Sequence, residues 1–234
     1  MNENTKNNLI RFLDENHKSN PLLFAVISGI LASIGLSTNS YSTIIGSMLL
    51  SPIGNIINKK NIYDILNEAK VPLKQKYKSW IPTLLLVIVI VILIGYITGT
   101  IVSHFKNPFT KKPLHKDWPT KEMKERANPM NAIYLIFIAL TCAIALPMTI
   151  LTNNNVRFVA IGIATALIPP LANVGLSLSF NPKTIKHKKY KKYAIYTGIF
   201  IFLINFIIMW LPSKYLLRIF IKEANVFRTM ETIF

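Results

Sequence analysis

The chain has 234 residues, a mean hydropathy of +0.39 and a formal net charge of +17. Long uncharged apolar runs, Ile81 to Val102 above all, exclude an ordinary soluble domain and point to a bilayer. The Lys and Arg surplus lies between those runs, so anionic lipid headgroups are the favoured partner and nucleic acid is disfavoured.

Residues 1–20 are polar and lack the form of a cleavable signal peptide; Leu9, Phe12 and Leu13 make a short stripe suited to the membrane interface. A first span is expected from Pro21 to Leu36, with small residues for close helix packing. The turn Thr38-Asn39-Ser40 leads to a second span, Tyr41 to Ile57, which is too polar for lipid exposure and so belongs inside the protein. Residues 58–79 form a basic connector, where Ile62, Ile65, Leu66 and Ala69 recur at the spacing of an interfacial amphipathic helix. The third span is the Ile81 run, and 105–129 is a proline-rich polar loop. A fourth span from Asn131 to Leu151, a polar turn at 152–155 and a fifth span from Val156 to Ser179 follow. After a Lys-rich connector comes a sixth span, Tyr193 to Leu211, and 212–234 reads as an amphipathic tail lying on the membrane.

The expected fold is therefore an all-α integral membrane protein of about six transmembrane helices over 21–211. Two stretches within it read as copies, Ser47–Ile56 and Thr165–Val174. Each carries proline and asparagine inside an apolar segment, where both are costly unless something compensates. The copies divide the spans into repeat one (21–104) and repeat two (131–211), each with an odd number of crossings. Two such halves enter the membrane in opposite senses, the inverted-repeat plan of many secondary transporters. Lys and Arg divide almost evenly between the two sides, so they set no orientation.

Pro52, Pro169 and Pro170 each lack an N–H and free a backbone carbonyl one turn earlier, which predicts proline-broken second and fifth helices. Pro52 lies about 16 Å past Tyr41 and Pro169 about 20 Å past Val156, which predicts a midplane site. Its expected substrate-binding residues are Ser47, Ser51, Pro52, Asn55, Thr165, Pro169, Pro170 and Asn173. The bland reading of the same residues is a pair of packing kinks whose Ser and Asn tie helices together. All 10 Asp and Glu lie in polar segments, which argues against an intramembrane carboxylate relay. The four histidines lack metal-ligand spacing, and the single cysteine, Cys142, excludes an intrachain disulfide. No nucleophile elbow, phosphate loop or carboxylate pair marks an enzyme, and no metal or cofactor is expected.

The stretches Gly35–Ser40 and Ile45–Pro52 resemble the first signature of a family of hydrophobic microbial membrane proteins, the domain of unknown function 389. Gly162–Leu171 is similar to its second signature, and Arg126–Pro129 and Asn205 also fit. The resemblance covers about 21–211 and implies a membrane fold, with no particular substrate. It also implies that Ser47 and Ser51, commonly alanine in the family, rank below the prolines and asparagines. The functional expectation is a small transporter or channel, for a small neutral solute or an ion held by carbonyl and hydroxyl oxygens, with a homo-oligomer as one possible assembly. The alternative is a non-transporting membrane organiser that binds anionic lipid or a partner protein.

Overall fold

The computed structural model describes residues 3–17, 20–71, 80–104, 118–152, 157–179 and 185–231, with 4, 5, 12, 14–17, 132, 146, 148–152, 157–166, 185–187 and 223–231 by backbone alone. Among them the regular elements are all helical. They are α1 (Glu3–His17), α2 (Pro21–Thr38), α3 (Tyr41–Leu49), α4 (Ile53–Glu68), α5 (Trp80–His104), α6 (Lys121–Ala127), α7 (Asn131–Thr152), α8 (Arg157–Ser179) and α9 (Ile185–Glu231). Three stretches are long and apolar enough to cross a membrane: α2, α5 and Lys188–Lys222 within α9. Ile133–Ala145 and Leu167–Ser179 are shorter apolar helices.

Local chemistry explains where α2 begins and ends. The Asn20 carboxamide accepts from the backbone N–H of Leu22 and Leu23, and Pro21 opens the helix where no N–H is needed. Asn39 takes the left-handed conformation (φ 58°), and the Ser40 N–H closes onto the Gly35 carbonyl at 2.8 Å. The chain thus reverses into α3, and only glycine fits at 35, where a Cβ would lie 2.9 Å from the Ile44 nitrogen.

The core is centred on α8, which packs against α2, α3, α5, α7 and α9. Every residue from Leu167 to Ser177 is buried. Its crossing with α5 is held by small residues: a Cβ on Gly95 would lie 2.6 Å from the Ala172 carbonyl oxygen, and one on Gly175 would lie 2.2 Å from that of Ile92. Such backbone-to-backbone approach is how helices associate where lipid removes the hydrophobic drive. The outer helices instead expose apolar side chains at helical spacing, such as Leu85, Val89, Leu93 and Ile97 on α5, and Ile133, Phe137, Leu140 and Ile144 on α7. That is the pattern of a lipid-facing surface.

The bundle has two distinct ends. At the tail end, where α2 starts, α1, the C-terminal half of α4 and the last part of α9 gather. Leu9, Ile62, Ile65, Leu66, Leu217 and Ile221 form an apolar cluster there. Trp80 packs against Trp210 with the rings tilted and their centroids 5.4 Å apart, the Asn61 amide donates to the Ser213 hydroxyl at 2.7 Å, and Lys214 meets Asp64 at 2.7 Å. Lys60 also pairs with Asp64, and Arg218 with Glu68. At the α6 end, where α2 finishes, Thr120 donates to the Leu36 carbonyl at 2.7 Å, and the Glu122 N–H donates to the Asn39 carboxamide oxygen at 3.1 Å.

Four expectations are corrected here. The fifth helix is not broken: α8 runs through Pro169 and Pro170, because packing on all sides holds it where local hydrogen bonds are lost. The tail is no separate surface helix, since α9 continues through Pro212 and turns Leu217 and Ile221 into the protein. Likewise Ile62, Ile65 and Leu66 of the connector, and Leu9 of the N-terminal segment, bury themselves against protein rather than membrane. Finally, the proline-rich loop is partly core: Trp118, Pro119, Thr120, Met123 and Ala127 are buried at the α6 end. The predicted turn at 153–155, Phe12 and the loop at 105–117 lie outside the described residues and side chains.

Candidate functional site

The second span does break, and the sequence around Pro52 explains how. The N–H groups of Leu50 and Ser51 reach only the carbonyls of Ser47 and Met48, tightening the last turn of α3, and Pro52 has no N–H to carry the ladder onward. The chain restarts at once. The Ser51 hydroxyl oxygen accepts weakly from the Ile53 N–H at 3.4 Å, and the Pro52 carbonyl accepts from Ile56 at 3.1 Å.

A cleft of about 140 Å³ opens at this break. Its apolar wall includes Pro21, Phe24, Leu49 and Ile56, and its polar side is Ser51, Asn55 and Lys59. Asn55 and Lys59 stand one turn apart on the same face of α4. Asn55 is half-buried, and its amide has no hydrogen-bond partner among the described residues. Phe24 and Leu49 are exposed, so the cleft opens to the surroundings. Pro21 and Phe24 belong to the first turn of α2, which places the cleft at the tail end of the bundle.

Asn173 sits in a different environment. Wholly buried, it donates through its amide nitrogen to the Met123 carbonyl at 3.0 Å, and its oxygen accepts from the Tyr190 hydroxyl at 3.1 Å. Because the segment from Thr120 to Met123 is tied to the end of α2, Asn173 belongs to the α6 end. Asn55 and Asn173 therefore belong to separate environments, Asn55 in the cleft beside the first turn of α2 and Asn173 against the α6 segment. The predicted residues accordingly divide. Ser51, Pro52 and Asn55 share the cleft, whereas the Ser47 hydroxyl is buried and donates to the Ile44 carbonyl of its own helix at 2.6 Å. Pro169 and Pro170 are buried in α8, with α9 pressed so closely on Pro170 that a Cβ on Gly198 would lie 2.9 Å from its carbonyl oxygen. The Thr165 side chain lies outside those described.

Sequence reasoning missed Lys59 and the partners of Asn173. Lys59 was legible, since it follows Asn55 by one helical turn, but its place among the connector lysines assigned it to the lipid surface. Met123 and Tyr190 carried no signal, because one contributes a backbone carbonyl and the other a phenol from a distant helix. Among the described residues, no group of His, Cys, Asp and Glu could hold a metal ion.

Helical elements throughout the described residues, several of them long and apolar, with apolar faces turned outward, define a multi-pass membrane protein. The family model described as "Domain of unknown function (DUF389)" matches residues 69–211, and the chain belongs to that family. The match includes Arg126–Pro129, Gly162–Leu171 and Asn205, whereas the stretches at 35–52 precede it. No curated protein and no solved structure matches the chain.

Proposed function

We propose that this protein is a small membrane transporter or channel whose binding site is the cleft at the Pro52 break. The observation that carries the reading is the interruption itself, which opens a cleft lined by Ser51, Asn55 and Lys59 within an apolar bundle. Irregular backbone at a membrane helix persists where it lines a cavity or is buried in protein, and transporters use such interrupted helices to bind their solutes. Further support comes from α4 beyond the cleft, where the buried Asn58 and Asn61 carboxamide oxygens lack a hydrogen-bond partner among the described residues. Buried polar atoms of that kind call for water or solute. Among the described residues, the opposite end is packed with Trp118, Pro119, Met123 and Ala127, while the cleft opens at the tail end. The plan of six crossings in two inverted halves belongs to this reading, supported by the alternation of helix termini between the two ends. In it one half carries the interruption, and the other supplies the unbroken α8 as a wall.

The organiser reading draws less from the tail end, where Lys60, Lys214 and Arg218 are engaged by Asp64 and Glu68 rather than left for lipid. Flux into vesicles reconstituted with purified protein decides between the two. Solute or ion movement above empty vesicles, reduced in Asn55→Leu with the protein still folded, is the expected result. Wild-type vesicles that match empty ones across a panel of small solutes and ions would remove the transport reading.

A further inference from the structure

The contact between α4 and α9 contains polar groups that the protein itself does not satisfy. Asn61 pairs with Ser213, Asp64 with Lys214 and Glu68 with Arg218, so the two helices run parallel with a nearly constant offset of 150–152 residues. One turn before Asn61 and Ser213, that register sets Asn58 opposite Trp210. Asn58 and Asn61 are 2% and 1% exposed, yet neither carboxamide oxygen has a hydrogen-bond partner, and neither does the buried Trp210 indole nitrogen. An acceptor and a donor thus stand at facing positions without bonding to each other. Turning the Asn61 amide over would change only which of its ends is left over, since the Ser213 hydroxyl meets one end and donates onward to the Trp210 carbonyl at 3.1 Å. Trp80 packs against the Trp210 ring from α5, and the Lys60 ammonium lies 5.5 Å from the Trp80 ring, which holds the indole in its place. Buried groups of this kind keep their full desolvation cost unless something bonds to them.

The partner these groups call for must accept from the indole N–H and donate to carboxamide oxygens. A cation fails at the N–H and an anion fails at the oxygens, whereas a hydroxyl does both. Charge at this level is already balanced within the protein, where Lys60 and Lys214 share Asp64. Three polar groups also match the roughly three hydrogen bonds that a buried water makes. We infer that the α4–α9 contact binds a neutral hydroxyl group, of water or of a small polyol, between Asn58, Asn61 and Trp210. The bound hydroxyl fastens the helix that restarts after Pro52 to the last long helix of the bundle. The site lies one and two turns beyond Asn55 on α4 and does not depend on the transport reading: flux decides that reading, and the Trp210 proton decides this one.

The test is NMR of the purified full chain in detergent with isotope-labelled tryptophan, the Trp210 indole proton being assigned by its disappearance in Trp210→Phe. Spectra are recorded so that proton exchange and dipolar transfer have opposite signs. A dipolar cross-peak from the Trp210 proton to water is expected in wild type and should be lost in Asn58→Leu. Trp118, whose N–H donates to the Ser37 carbonyl, serves as the control. Added glycerol separates the two sources. A cross-peak to its carbon-bound protons assigns the site to a polyol, and a water cross-peak that persists alone assigns it to water. Asn58→Leu, close to its parent in size, should melt about 2–4 °C below wild type, because the bound hydroxyl loses an acceptor. An oxygen with nothing bound to it would instead make leucine neutral or stabilising. If the wild-type Trp210 proton shows no cross-peak to water or glycerol, or if Asn58→Leu melts at or above wild type, the inference fails. The wild-type spectrum is decisive by itself should the leucine variant not fold.

Discussion

The two matched asparagines show how the same side chain does different work. Asn173 has its donor and its acceptor both engaged inside the protein, by Met123 and Tyr190. Replacing it with leucine strands a buried carbonyl and a phenol, so Asn173→Leu should cost about 1–2 kcal/mol of stability. Tyr190→Phe should cost less, and in the double variant the two losses should fall short of additive, because both break one network. Asn55→Leu removes no bond among the described residues and should stay within about 0.5 kcal/mol of wild type. Denaturation of the purified variants in one detergent measures all four. A stable Asn173→Leu beside an unstable Asn55→Leu would reverse the assignment.

Between elements, contact is governed by how near one backbone comes to another. Gly175 of α8 faces the Ile92 carbonyl oxygen so closely that a Cβ would lie 2.2 Å from it, and backbone cannot swing aside as a side chain can. Gly175→Ala should therefore push α5 and α8 apart and destabilise by about 1–3 kcal/mol. Gly46 of α3 has nothing within 4 Å of its would-be Cβ, and alanine is the better helix former. Gly46→Ala should gain about 0.5–1 kcal/mol, so paired thermal melts give opposite signs. The contact of α9 with α4 depends on pH instead. Burial of the Asp64 carboxylate raises its pKa, but hydrogen bonds from Lys214 and Lys60, with their charges, outweigh it and hold the pKa below the usual value. A depressed carboxylate stabilises the folded form above the unfolded pKa of about 3.9, and that stability is lost as pH falls through the lower folded value. Docking of the tail should hold from pH 7 to 5 and weaken below about 4, read as hydrogen exchange at the end of α9. Asp64→Asn should remove that dependence. The Arg218–Glu68 pair is half-exposed and should add little at high salt.

Across the whole molecule, the helices put chemically different groups at the two ends. The tail end collects the charged pairs between α4 and α9 beside the cleft at Pro52. The α6 end is filled with buried side chains and backbone hydrogen bonds. The connector after α4 and the one before α9 should face opposite sides of the membrane. Single cysteines at Asn67 and Lys188, both exposed, would report this in a background where Cys142 is replaced by alanine. An impermeant thiol reagent should label them from opposite faces of sealed vesicles. Labelling of both from one face would remove the plan of six crossings and with it the two inverted halves.

The sequence by itself determined the class of molecule, because apolar length and the absence of charge are properties a bilayer reads one residue at a time. It also determined the helix limits near Asn20 and Asn39, where capping chemistry is local, and the break at Pro52, where a serine helps the helix restart. Tertiary structure alone decided which prolines interrupt. Pro52 and Pro169–Pro170 remove the same kind of bond, yet α8 continues because neighbouring helices enclose it, while α3 ends beside an open cleft. It alone decided the partner of Asn173, a carbonyl that every residue possesses and that no side-chain pattern announces. And it turned Lys59 from one basic residue among many into the charged wall of a cleft, since the direction a lysine points depends on what its helix packs against.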